Sequence, residues 1–423
     1  MVVGIIIGAS IFVQPSEITR HVPAIGGMLM VWLLSGVLTF FGALVCAELA
    51  SAFPRTGGVY VFLKETYSPA LGFLWGWAMF WIMHSGIVAA IAVVVARYVG
   101  FFVPLGDGGV RAVAIGAILL FSAINVIGVR QGSAVQTFFT VAKVAAIVIL
   151  LIMVVVFAPH KTAALGHPPP APPTPLALRE FVLAMVAGLF AYGGWHMVTY
   201  AAEETREPQK TIPRALVIGI AIVTLCYLGL NAAYVSVLPL DQVIRSQRVA
   251  ADVATVVAGP RGAAAVSIVV IVSAIGALGG VILAGPRVYF AMARDGLLFR
   301  RIGVLHPRFQ TPHVAIILQA VWASVLVATG SYRSLFTRVV YTEWIFFGLM
   351  AAGLFILRRR PGYAPAYRTW GYPLVPLLFI VSSAVIVGNQ IAAEPWESVT
   401  GLLLVMAGLP VYYWWSHVQT NDH

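Results

Sequence analysis

Gly4-Ile5-Ile6-Ile7-Gly8-Ala9-Ser10-Ile11-Phe12 places small residues inside an apolar segment where a membrane helix would run straight. Phe190-Ala191-Tyr192-Gly193-Gly194-Trp195 does the same in a second segment. Each stretch opens a block of about five apolar segments, so the breaks stand at matching places in two successive halves. Hydrocarbon offers unwound backbone no hydrogen-bond partners, so such a break survives at depth only where it lines a cavity or is buried in protein. Paired interruptions at corresponding places in two repeats point to the binding site of a transporter.

The rest of the chain has the composition of a membrane protein. Its 423 residues are 60% hydrophobic and 10% charged, with a mean hydropathy of +0.93. A soluble fold of that balance could not cover its surface with polar groups. A hydrocarbon slab of roughly 30 Å needs about 20 apolar residues per helix. Spans are expected near 1–20, 27–53, 70–103, 110–128, 132–158, 179–202, 212–238, 262–292, 313–330, 334–357, 372–392 and 398–416. The fold class is therefore all-α and polytopic, with no room for a soluble catalytic domain. The organisation expected is a first repeat over 1–158, a proline-rich outer linker over 159–178, a second repeat over 179–357, and further helices in 358–423. Pro15 is read as ending the first helix and Pro213 as starting the seventh. The stretch 54–60 is Gly-rich and turn-forming, without the Lys-Ser/Thr of a phosphate loop.

The net charge of +11 is a matter of topology rather than of nucleic acid. Basic residues favour the side carrying Arg55, Lys64, Arg206, Lys210, Arg287, Arg294 and Arg358-Arg359-Arg360 over the side carrying Arg20, Arg97, Arg111 and Arg245. That asymmetry predicts a cytoplasmic N-terminus in a cell inner (plasma) membrane, with the excess meeting anionic lipid. Cys46 and Cys226 both fall within spans, so neither a disulfide framework nor a disulfide-linked heavy chain is expected. No cleavable signal peptide is visible. Seven residues precede Gly8, so either the first half-helix is stunted or the true start lies upstream.

The breaks carry backbone chemistry. A half-helix beginning near Ala9–Ser10 points free N–H groups and a positive dipole end at an anion, ideally a carboxylate. A half-helix ending near Phe190–Ala191 offers free carbonyls to an ammonium. One solute with both groups is an α-amino acid. The competing reading of Gly4 and Gly8 is a GxxxG packing face. Lys143 lies in the otherwise apolar fifth span, where its cost marks a functional group: its ammonium stands in for a metal ion between the first and eighth helices, or carries a proton. Glu343 and Trp344, in the tenth span, are assigned to coupling or gating; Glu343 pairs with a cation, lines a polar path, or simply packs a helix. His196 faces the substrate or titrates, against the alternative of a packed imidazole; His84 is a weaker instance. Phe190 is placed to close over a substrate, and Tyr227 has a hydroxyl that needs a partner when buried. Glu48 is read as structural. Enzyme motifs and metal-ligand spacings are absent, so no catalytic residue, metal or cofactor is expected.

These residues resemble the amino acid–polyamine–organocation superfamily, most closely its L-type amino acid transporter branch. Gly8-Ala9-Ser10-Ile11-Phe12 is similar to the helix 1 Gly-Ser-Gly-Ile-Phe motif, and Phe190 through Trp195, running on to Glu203-Glu204 and Ile212-Pro213-Arg214, to the helix 6 signature. Tyr227 with Asn231-Ala232-Ala233-Tyr234, Gly285-Pro286-Arg287 through Ala293-Arg294-Asp295-Gly296, and Gly408-Leu409-Pro410-Val411-Tyr412 match later helices. The resemblance implies a LeuT-like five-plus-five inverted repeat with alternating access. It implies a substrate carboxylate on the N–H groups around Gly8, Ala9 and Ser10, and an amino group on carbonyls near Ile6, Phe190, Ala191 and Gly193. It makes Phe190 the gating aromatic, Lys143 the lysine that replaces a sodium site, and Tyr227 a tyrosine near that lysine. Ser10 stands where the motif has its third glycine, and His196 where L-type members often have asparagine. The outer cysteine that ties animal members to a glycoprotein is missing, as in a self-sufficient prokaryotic-type carrier. The function expected is sodium-independent amino acid transport, by exchange or proton symport. A neutral substrate is expected, since no charged partner for the side chain is evident in the pocket. The alternatives are a cationic amino acid or polyamine carrier using Glu343, and a non-transporting amino acid sensor.

Overall fold

Apolar runs wind into helices here because lipid leaves the backbone to satisfy its own polar groups. The structure is a computed structural model describing residues 2–8, 10–128, 133–157 and 178–421. The expected linker over 159–178, save its last residue, and Ala9 lie outside the described residues. The first segment is broken into α1 (Val2–Ile6), a single 3-10 turn (Ser10–Phe12) and α2 (Gln14–His21). There follow α3 (Ile25–Ala52), a short α4 (Val59–Thr66), and α5 (Pro69–Ala78), which runs through a π-helical turn (Met79–Met83) into α6 (His84–Val99). Next come α7 (Asp107–Ile127), α8 (Ser133–Phe157), α9 (Leu178–Ala191) and the 3-10 stretch Trp195–Glu204. The chain continues as α10 (Pro208–Val237), α11 (Leu240–Arg245), α12 (Val249–Arg294), α13 (His313–Thr329) and α14 (Tyr332–Leu357). It ends with α15 (Leu374–Ala393), α16 (Pro395–Met406) and α17 (Gly408–Asn421). Among the described residues there is no strand, and 9 helices are long and apolar enough to cross a membrane.

Burial separates core from rim. The window Pro69–Val99 is almost wholly enclosed, whereas α7 exposes Leu119, Leu120 and Ile127, as a helix facing lipid would. Around that centre α10 runs along α3, α12 along α6, and α15 along α14.

Several local expectations are corrected. Pro15 does not end a helix; it sits in the first turn of α2, where its missing N–H removes no helical bond. Pro213 lies inside α10, which starts at Pro208. The helical run holding the expected eighth span already starts at Val249, but it kinks at Gly259, which takes φ 70°, and the part after the kink begins at Pro260, close to the expected 262. Only glycine takes that conformation without strain. The turn-forming stretch 54–60 gives way to α4 at Val59, with Gly57 and Gly58 at positive φ just before it.

Glu48 is structural, as expected. Its fully buried carboxylate accepts from Arg358 Nε at 2.9 Å and Nη2 at 2.6 Å, and from the Thr369 N–H at 2.7 Å. This pins α3 to the end of α14 and to the segment before α15. Glu48→Ala is expected to destabilise the protein by about 1.5–3 kcal/mol, because the half-buried Arg358 and the buried Thr369 N–H lose the charged acceptor they share. Thermal unfolding of the detergent-solubilised variant checks this, and an unchanged Tm would refute it.

Candidate functional site

The two breaks meet in space. At the first, the Gly8 N–H turns back to the Ile6 carbonyl at 2.7 Å, ending α1. At the second, the Gly193 N–H bonds the Phe190 carbonyl at 3.0 Å, and Gly194 follows at φ 90°. A Cβ on Gly194 would stand 2.7 Å from Ile5 Cγ2, so side chain and backbone of the two breaks touch. Both the φ and the contact exclude a larger residue. Gly194→Ala is expected to cut uptake at least tenfold, roughly 1.4 kcal/mol or more in coupling, by pushing the breaks apart. Initial-rate uptake normalised to inserted protein measures it.

Polar side chains from other helices hold this junction. The Tyr227 hydroxyl, on α10, lies 2.9 Å from the Ile6 carbonyl and 3.0 Å from the Ala191 carbonyl, sharing its one proton between the ends of the two broken helices. Its ring packs edge-on against Trp32 and Tyr192. Lys143 Nζ, on α8, donates to the Gly4 carbonyl at 3.2 Å. Lys143 is buried, and this bond ties α1 to α8; Ser273 Oγ of α12 lies 3.4 Å from the Gly8 carbonyl and ties the first break to the eighth span. A Cβ on Gly4 would sit 2.2 Å from Thr140 Oγ1, so Gly4 is also a close-packing position.

Between the breaks lies a cavity of about 30 Å³, room for a water or two. Ile6, Gly8, Ser10, Phe190, Ala191, Gly193 and Glu343 line it, together with Ile5, Gly194 and Met197. Sequence reasoning missed its apolar wall, Ile87 and Ile91 of α6, Val281 of α12 and Val339 of α14. Aliphatic residues in aliphatic helices carry no local signal of which face will meet a cavity. The expectation that the pocket offers no charged partner is overturned, since the Glu343 side chain reaches this wall from α14. His196 does not line the cavity. Its Nε2 stands 4.0 Å from Glu343 Oε1, and its ring is enclosed by Trp75, Trp195, Tyr200 and Phe347. Trp344 packs against Phe379, outside the cavity lining. His84 Nε2 meets the Val281 carbonyl at 2.7 Å, a packing role.

The ends of the cavity differ. Towards the α2 end, Phe190 packs on Phe336 at 5.5 Å between centroids. Beyond them Arg333 pairs with Glu17 at 3.5 Å, and His21 Nδ1 with Glu180 at 2.7 Å. At the opposite end opens a vestibule of about 620 Å³ lined by Arg55, Lys64, Glu204, Arg287 and Asp295 among others. Arg287 grips Glu204 through Nε and Nη2 at 2.9 and 3.1 Å, and Lys64 Nζ meets Asp295 at 2.6 Å. Burial, and then the 2.6 Å bond to Asp295, push the Tyr60 phenol up, keeping it a donor. The vestibule is larger than the inner cavity, but its charged, open walls suit passage rather than enclosure of a solute.

A bundle of apolar helices enclosing a small cavity between two broken ones has the architecture of a solute carrier. The chain belongs to the amino acid permease family, whose model matches residues 1–414. It is 32% identical over 417 residues to the serine/threonine exchanger SteT of Bacillus subtilis (strain 168), covering 98% of this chain and 94% of that protein. It is 32% identical over 431 residues to the human b(0,+)-type amino acid transporter 1, covering 99% and 86%. With the human cystine/glutamate transporter the figures are 28% over 424 residues, 98% and 83%. The protein is a multi-pass membrane transporter and not an enzyme.

Proposed function

We propose that this protein is a sodium-independent carrier of neutral L-amino acids, an exchanger or proton-coupled symporter working by alternating access between two inverted five-helix repeats. The observation that carries the reading is a cavity lined by residues of both breaks. Ile6, Phe190, Ala191 and Gly193 line it, as do Gly8 and Ser10. The Phe190 and Ala191 carbonyls each accept one bond and keep a second lone pair, and the Ile6 carbonyl frees one when the Gly8 N–H leaves it, so a substrate ammonium can be accepted there. The substrate carboxylate is assigned to N–H groups from Gly8 to Ser10, with Ala9 among them; the Gly8 N–H must first leave the Ile6 carbonyl. Sodium independence is supported by Lys143, whose ammonium already gives the unwound end of α1 the positive charge a metal ion would bring. Phe190 and Phe336 are assigned to closing the α2 end. The basic vestibule supports a cytoplasmic position for the opposite end, hence for the N-terminus, and the inner (plasma) membrane as location. Both cysteines lie within helices, Cys46 in α3 and Cys226 in α10, which supports action without a disulfide-linked subunit.

Counterflow tests the function. Proteoliposomes loaded with unlabelled neutral amino acids should accumulate labelled ones without sodium. Binding without exchange would identify a sensor. A carrier of cationic amino acids or polyamines is the second reading, favoured by Glu343 on the wall; labelled lysine and spermidine in the same vesicles test it.

A further inference from the structure

Glu343 is the one charged side chain lining the inner cavity among the described residues. It is 5% exposed, and no described residue donates a hydrogen bond to it. His196 Nε2, at 4.0 Å, is beyond hydrogen-bond reach, and His196 Nδ1 is itself buried without a partner. Glu48 shows what a purely structural buried acid looks like in this chain: an arginine grips both its oxygens, and a backbone N–H completes it. Glu343 has none of that. A carboxyl group enclosed with Ile87, Ile91, Val281 and Val339 and given no donor is costly to bury. The missing donor must arrive from inside the cavity.

We infer that Glu343 is the acceptor that reads the substrate's side chain, selecting short neutral amino acids that end in a hydrogen-bond donor, such as a hydroxyl. This rests on the transport reading above and names its substrate class. Backbone at the two breaks handles the amino and carboxylate groups common to all amino acids, while Glu343 stands on α14, separate from both. The other residues of this wall from α6, α12 and α14, namely Ile87, Ile91, Val281 and Val339, are aliphatic and offer no second side-chain acceptor for a long ammonium-bearing stem. A carboxylate-bearing side chain would face like charge. An apolar isostere would leave Glu343 unpaired, and a site built to hydrogen-bond a hydroxyl rejects such an analogue strongly.

Matched pairs of equal shape give the test: threonine against valine, and serine against 2-aminobutyrate. In sodium-free counterflow the wild type should favour the hydroxyl member of each pair by about tenfold or more in kcat/KM. Glu343→Leu should bring that ratio close to one, while Glu343→Gln, whose amide oxygen still accepts, should keep part of it. A wild type indifferent to the hydroxyl, a Glu343→Leu ratio equal to wild type, or a wild type that prefers ornithine to threonine overturns the assignment. Should Glu343→Leu fail to transport, ligand-induced thermal stabilisation in detergent reads the same ratio. Retained preference for threonine, or joint loss of threonine and valine binding, overturns it; loss of threonine's advantage alone supports it. A wild type that exchanges nothing, yet is stabilised more by threonine than by valine, would sink the transport reading and leave this one standing.

Discussion

Lys143→Ala is expected to lower exchange about 100-fold or more while the protein still inserts and purifies. The ammonium of Lys143 is buried and donates to the Gly4 carbonyl, one turn before the first break. Its removal leaves that carbonyl unpaired and removes the positive charge that holds the unwound end of α1. A hydrogen bond to a charged group contributes about 1.5–3 kcal/mol, and the upper figure corresponds to roughly 150-fold in rate. Lys143→Arg should rescue little, because a planar fork does not fit where a compact ammonium sits. Counterflow rates normalised to reconstituted protein, taken across a pH series, check the point. Wild-type uptake with an unaltered pH profile would show the lysine to be passive.

Tyr227→Phe is expected to slow exchange by about 10- to 100-fold, corresponding to roughly 1.4–2.8 kcal/mol in the barrier. Its hydroxyl is the only described side-chain link between the ends of α1 and α9, through Ile6 and Ala191. The ring should stay put against Trp32 and Tyr192, so Tm should move little. The loss should therefore appear in the rate and not in folding. The Ile6 carbonyl keeps its bond from the Gly8 N–H, whereas the Ala191 carbonyl loses the hydroxyl that ties it to the other break. A variant exchanging at the wild-type rate would mean that the two breaks move independently.

Much of the fold was legible because its cues are local. Runs of apolar residues place the helices, and Gly8, Gly193 and Gly194 place the breaks, since backbone freedom is written at the residue that uses it. Prolines misled where their position within a helix mattered. Pro15 reads as a stop but opens α2, where its missing N–H removes no helical bond, and Pro213 reads as a start but lies inside α10 as its sixth residue, where it does remove one. Glu343 and His196 were each legible as unusual, but not as neighbours.

What the sequence alone determined is the set of membrane-length helices, the two interrupted ones, and the backbone groups those interruptions free, all consequences of residues close together in the chain. Only tertiary packing decided that Tyr227 would reach Ile6, 221 positions away, that Ile87, Ile91 and Val339 would wall the cavity, and that Glu343 would face into it. The reason is physical. In an apolar helix every face is equally at home in lipid, so only the docking of distant helices chooses which face turns inward.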